Sequence, residues 1–472
     1  MEIRLNIWGI YYSRPDFAEI GEPMFAVNAM QRNVRLCFAI LLVAAIVRTT
    51  DAQEQGIDPA KAKQYFDEAR TICQRDGGKL WGKSLCGPML FVDPDTRSVI
   101  ANQADAEGRL IAEGGLFVAK LPPEISIANT AMTWAGVHWT TIMWPLPESP
   151  TARVRLMMHE LFHRIQDDVG LPPSNPPNAH LGTLEGRFWL ELEWRALQQA
   201  LARANSSPAE RRRAVEDALL FRLHRRALFP KAAQEERELE MNEGLAEYTG
   251  YKLRGTGDAA TATAIIARLT TAESGEAFSR SFAYVSGPAY GMLLDFSGTA
   301  WRKGLTEKSD LGDLLRRAYG VILPKDLSSA AQQRSAVYDG DALRWSETQQ
   351  QKHRDELISD YKKRLIAGPV LTLPFTDKVQ VSYDPNGVFP LDDNTSAYPA
   401  IRVSDAWGIL DVSHGALMVR EQGKFARVVV EAPKDAEGKS GEIDQNGWKL
   451  SLAPGWTIKK GARPGDFTVE KK

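Results

Sequence analysis

The run His159-Glu160-Leu161-Phe162-His163 sets two imidazoles four residues apart, with a carboxylate beside the first. On a helix that spacing stacks both histidines on one face, their Cβ atoms about 5–6 Å apart. Both rings can then reach one Zn²⁺ at about 2.0–2.1 Å. Glu160 can take a proton from water on the open side of the ion. About one chain of this length in a hundred would carry such a string by chance, so a third ligand and an electrophilic partner are needed. A second acidic pair, Glu243 and Glu247, is again spaced to share one helical face. One of the two carboxylates can bind zinc, while the other accepts the Nδ1–H of a ligand histidine and orients it. A solvated acidic face is the alternative, which Glu235, Glu236 and Glu238 would suit. Leu245, Ala246, Tyr248 and Tyr251 point to burial instead, and a buried carboxylate needs a partner or a metal.

The elements that must position these residues follow from hydrophobic spacing. Val154, Leu156, Met157, Leu161 and Ile165 give the histidine helix an apolar face, and Ser149-Pro150-Thr151 opens it. Upstream, residues 59–75 carry helical spacing, and residues 88–100 read as a hairpin with a Pro-Asp turn. Further strands are expected at Gly115–Val118, Ile125–Ile127 and Val137–Trp144, a meander of antiparallel strands leading into the histidine helix. The last could be an edge strand that holds an extended peptide or a plain core strand, with His138 a pocket residue or only hydrogen-bonded in place. Gln166 and Val169 exclude the longer motif H-E-x-x-H-x-x-G-x-x-H. A proline-rich loop spans 171–177, and helical runs from Leu184 and from Ser207-Pro208 predict a helical insertion over 171–241.

The 472 residues allow two domains or one large domain with an appendage, and 43% hydrophobic with 25% charged residues is ordinary for a globular chain. A formal net charge of −2 offers no basic field for nucleic acid. Residues 30–52 read as a secretory signal peptide: a basic start, the apolar run Leu36–Val47, then small and polar residues. Met30 is the expected true start, so 1–52 is a leader and the protein is exported, with no stable membrane span once the leader is removed. An uncleaved anchor is the alternative. Cys37 leaves with the leader, and Cys73 and Cys86 remain as a pair. A disulfide closing that loop would stabilise by about 3 kcal/mol and suits an oxidising compartment.

His159-Glu160-Leu161-Phe162-His163 together with Asn242-Glu243-Gly244-Leu245-Ala246-Glu247-Tyr248 resembles the gluzincin metallopeptidases. The second segment is particularly similar to their aminopeptidase-like branch. The resemblance covers roughly residues 130–300, and only the two zinc segments are specific. It implies an α+β, zincin-like catalytic domain over 53–368: an antiparallel sheet, active-site helices and the large helical insertion. It implies Zn²⁺ held by His159, His163 and Glu243, with Glu160 as general base and Glu247 as the carboxylate behind a ligand histidine. The Tyr284-Val285-Ser286-Gly287 segment resembles the branch's Tyr-x-x-Gly helix start, which makes Tyr284 the oxyanion donor and Tyr290 its alternative. Glu185, in Gly182-Thr183-Leu184-Glu185-Gly186, is a rival third ligand, faintly like another zincin branch. Two departures stand out. Glu243 follows His163 by about 80 residues, and the strand motif Gly-x-Met-Glu-Asn that holds a substrate amine has no counterpart at Gly136-Val137-His138-Trp139-Thr140.

After Gly368-Pro369 the composition shifts to short alternating strands and turns, predicting a small all-β domain over 369–472 that docks on the catalytic one. The expected function is a zinc-dependent hydrolase, a metallopeptidase acting on a peptide or protein substrate. A zinc amidohydrolase for a non-peptide amide and a non-catalytic binding protein with a structural zinc are the alternatives.

Overall fold

The computed structural model describes Arg4–Ile7 and residues 56–472, apart from 123, 124, 126, 204–206, 276, 277, 378, 384–387, 393 and 423. The expected leader thus lies outside the described residues except for Arg4–Ile7 (β1), which pairs in parallel with Gln380–Tyr383. Helix α1 (Pro59–Asp76) starts at Asp58, whose carboxylate accepts the N–H groups of Ala60 and Lys61. Near its end Cys73 is joined to Cys86, with Cα atoms 5.3 Å apart. The bridge staples α1 to the segment that enters the first sheet and is consistent with an exported protein.

That sheet contains β2 (Met89–Val92), β3 (Ser98–Ala101), β4 (Ile111–Glu113), β5 (Leu116–Lys120), β6 (Thr130–Trp134) and β7 (Val137–Met143), in the order β4-β5-β3-β2-β7-β6. The expected hairpin is β2 and β3, its turn held by Asp93 accepting from the N–H groups of Asp95 and Thr96. The expected antiparallel meander is corrected in three respects. The sheet is mixed, because β7 runs parallel to β2. The chain leaves β5, reaches the far edge as β6, and turns back through Ala135 and Gly136, both at positive φ, which inserts β7 between β6 and β2. Consequently β7 is an inner strand, with Trp139, Thr140, Thr141 and Ile142 fully buried, and β6 is the edge. Finally, of the expected strand at Ile125–Ile127, the described residues Ile125 and Ile127 are not in a strand. The Arg97 guanidinium takes the carbonyls of Leu121, Pro122 and Ile125 that a strand would have offered to its neighbour.

The helical part follows as α2 (Pro150–Ile165), α3 (Leu184–Ala202), α4 (Pro208–Leu228) and α5 (Ala232–Leu239). One π-helical turn (Glu240–Gly244) joins α5 to α6 (Leu245–Leu253), and α7 (Gly257–Ala272) and α8 (Ser281–Phe296) come next. Then α9 (Leu311–Ala318), α10 (Leu327–Ser335) and α11 (Gly340–Lys362) close over α3 and α4. A single apolar core runs from α1 through α2, α3 and α8 to α11. From Val370 onward the chain is β-rich, with two sheets sharing a core that includes Leu371, Val381, Val403, Trp407, Leu410 and Val428. The molecule is therefore mixed α+β with a C-terminal β region. Among the described residues no helix is long and apolar enough to cross a membrane.

Candidate metal centre

Helix α2 brings its histidines to the centre because most of its surface is apolar. Met157, Met158, Leu161, Phe162 and Ile165 are at most 1% exposed, and each such burial stabilises by about 1.5–3 kcal/mol. That offsets the cost of keeping His159 and Glu160 out of water beside them. Against α2 lies α6, brought close because Gly250 has no side chain: a Cβ there would sit 2.5 Å from the backbone oxygen of Arg155. The π turn before α6 sets its facing. In an unbroken α-helix Glu240, Glu243 and Glu247 would share one face. With the extra residue in the turn, Glu240 meets Arg222 of α4, while Glu243 and Glu247 meet the histidines of α2. Such single π turns recur at functional sites.

Three donor atoms converge. His159 Nε2 and His163 Nε2 are 3.0 Å apart, and Glu243 Oε2 is 3.4 Å from the first and 3.3 Å from the second. The outer nitrogens are taken by acceptors: His159 Nδ1 donates to Glu247 Oε2 at 2.9 Å, and His163 Nδ1 to Gln166 Oε1 at 2.8 Å. A carboxylate or amide oxygen only accepts, so each Nδ1 carries the hydrogen and each Nε2 turns a lone pair inward. Three lone pairs facing one another at this range repel unless a cation lies among them. Four donors arranged tetrahedrally at about 2.0–2.1 Å from Zn²⁺ stand roughly 3.3–3.4 Å apart, which matches the two sides that meet at Glu243, the His159–His163 side being shorter at 3.0 Å. Two imidazoles and one carboxylate also suit zinc better than the oxygen-loving Ca²⁺ or Mg²⁺. The side chains therefore fit the ion.

A proton can take the cation's place. Burial disfavours charge on His159, yet its hydrogen bonds to Glu243 and Glu247 prevail and push its pKa up to about 10. For Glu243, burial is likewise outweighed by His159 and His163, and its carboxyl is held well below the usual range. Glu160 goes the other way: burial raises its pKa despite the two histidines. It lies within 4.8 Å of His159 and His163 by ligand atoms, and its Oε2 has no hydrogen-bond partner. Tyr284 falls in the first turn of α8. Its ring lies parallel to that of His159 with centroids 5.5 Å apart, and its hydroxyl bonds with Glu243. Burial and then the Glu243 charge keep that phenol protonated. Helix α8 comes this close because Gly287 lies on Gly244, where a Cβ on Gly287 would be 2.3 Å from the Gly244 Cα.

The structure thus brings together His159, Glu160, His163, Glu243, Glu247 and Tyr284. The rival residues are engaged elsewhere. Tyr290 donates to Glu193 at 2.7 Å, Glu185 pairs with Arg344 and accepts from Trp189, and His138 is bonded to Thr133 at its exposed position. Several partners went unnoticed in the sequence. Gln166, there only an argument against a longer histidine motif, orients His163 and in turn donates to Asn242 Oδ1 at 3.1 Å. Its spacing of one helical turn after His163 was the available signal. Arg155 donates to Glu247 Oε1 at 3.0 Å, and Arg280 Nη2 lies 3.2 Å from Glu243 Oε1. Arg280 stands one turn before Tyr284. Its charge also acts, with that of Arg420, on Tyr383 of the C-terminal region. Comparison with known protein families, with curated proteins and with solved structures gave no match to this chain.

Proposed function

We propose that the protein is a zinc-dependent hydrolase, a metallopeptidase that cleaves peptide bonds with an activated water, and that it acts after export. One observation carries the reading: the buried triangle of lone pairs from His159, His163 and Glu243, closed on its outer side by Glu247 and Gln166. Zinc bound there would supply a Lewis acid able to bring the pKa of a water down from 15.7 to about 7. The chain's own residues do the rest. Glu160, with a raised pKa and a bare Oε2, accepts the proton of the attacking water and passes it to the leaving amine. Tyr284 remains a neutral phenol and donates to the oxygen on which charge develops. Glu247 keeps the proton on Nδ1 of His159, so that Nε2 stays free to ligate. The edge strand β6, packed against α2, gives an extended peptide a backbone to pair with.

Metal analysis of purified protein, beside turnover of a mixed peptide library, tests the reading. One zinc per chain is expected. Glu160→Gln should keep that zinc and lose about 10²–10⁴-fold in turnover. Full activity in Glu160→Gln, or cleavage by protein stripped of metal, would sink it. A zinc with four protein ligands and no turnover would mark a structural site instead.

A further inference from the structure

Glu243 uses its two oxygens differently. Oε2 faces the histidine nitrogens at 3.4 and 3.3 Å, whereas Oε1 faces Arg280 Nη2 at 3.2 Å. Arg280 immediately precedes α8, and Tyr284, one turn on, touches the same carboxylate. Both groups therefore arrive on one rigid element. Glu247 is held in the same manner, with Oε2 on His159 at 2.9 Å and Oε1 on Arg155 at 3.0 Å. Arg155 is itself fixed by Tyr251 at 3.1 Å. Each acid of this helix turns one oxygen inward and has the other tied to a guanidinium.

We propose that Arg280 is a positioning residue that confines Glu243 to donating a single oxygen, which keeps a coordination place open beside Glu160. The inference rests on the zinc reading above. A carboxylate beside a dication can bind through one oxygen or through both. A guanidinium on the outer oxygen makes a charge-assisted hydrogen bond that holds it back. Without Arg280, Oε1 loses the positive charge that holds it away from the metal, and it is free to turn onto the ion. The second oxygen then fills the place that water and substrate need.

Cobalt(II) in place of zinc reads this directly, because its visible absorption weakens when a fifth ligand joins four. The full chain, freed of metal and loaded with one Co²⁺, should give a strong visible band that shifts on addition of azide. Arg280→Met, and Arg280→Gln as a polar substitute of similar length, should still take up one Co²⁺. Their bands should be weaker and unresponsive to azide, and with zinc their kcat should fall at least tenfold while KM holds. Arg280→Lys, which keeps the charge, should recover part of the band and part of kcat. Wild-type band strength and azide response in both neutral variants overturn the proposal and leave the zinc reading intact. No cobalt uptake by the wild-type chain overturns the zinc reading, and this inference with it.

Discussion

Two buried clusters of acids sit one helical turn apart in this molecule, and they are finished in opposite ways. In the helical insertion Glu193, Glu236 and Glu240, joined by Asp310 from the start of α9, meet Arg222, Arg225 and Arg226. Glu193 accepts from Arg222, Arg225 and Tyr290; Glu236 from His180, Arg225 and Arg226. Glu240 is gripped by both ends of Arg222, and Asp310 takes Arg226 on one oxygen and the Asp313 N–H on the other. Every carboxylate oxygen there has a hydrogen. Around His159 Glu247 is finished in the same way, but the centre it backs is not: Glu160 Oε2 has no hydrogen, and His159 Nε2, His163 Nε2 and Glu243 Oε2 converge on one spot. A buried ion-pair network that closes on itself is weak evidence for anything but structure. A buried acid cluster that stays open asks for something from outside the chain.

The contrast can be broken at its closed end first. Arg225→Met leaves Glu193 and Glu236 short of a fully buried partner, and removing one member of such a pair typically costs about 3–5 kcal/mol. A lower urea midpoint is expected, with metal bound normally by the folded fraction; an unchanged midpoint would show that the network is not what holds the insertion. At the open end, Glu243→Ala should lose metal affinity by more than about 100-fold while the metal-free protein keeps its thermal midpoint, read by competition with a chromophoric chelator and by calorimetry. Zinc retained at wild-type affinity would remove Glu243 from the ligand set. Glu247→Gln keeps the shape but weakens the acceptor behind His159, so affinity should drop about 10–100-fold in the same chelator assay.

Acid sharpens the comparison most gently. Burial raises the carboxyls of Glu236 and Asp310, but the Arg225 and Arg226 charges on the first, and those of Arg222 and Arg226 on the second, depress both below their ordinary values. A depressed carboxyl contributes stability that is complete above its unfolded pKa of about 4. That contribution is lost as pH falls through the folded value. The part of the thermal midpoint that these two carboxyls supply should be complete down to about pH 5 and be lost below about 4. A midpoint that rises on acidification through that window would contradict the assignment.

What could be read from the sequence is what repeats on a helix. His159 with His163, and Glu243 with Glu247, announce themselves by a spacing of four, and α1, α2, α3 and α4 by their apolar faces. The C-terminal β region was legible from alternation and turns after Gly368-Pro369. Arg155 and Arg280 were not, because each reaches its acid from another element, across 92 and 37 residues, with no spacing to advertise the contact. The strand order failed for a local reason. The turn that slots β7 into the middle of its sheet uses Ala135 at positive φ, where Gly, Asn or Asp would have given the hairpin away. The π turn was equally silent: nothing in the residues Glu240–Gly244 marks the extra residue in that turn.

Gly287 and Gly244 meet where neither has any chemistry, backbone against backbone, and a methyl on the former would overlap the latter's Cα. Two absent side chains thus act as the spacer of the whole centre. The phenol and the guanidinium ride on one side of that seam and the carboxylate on the other. The width of the candidate centre is accordingly written at positions outside its converging side chains, and a single added carbon there would widen it without touching any of them.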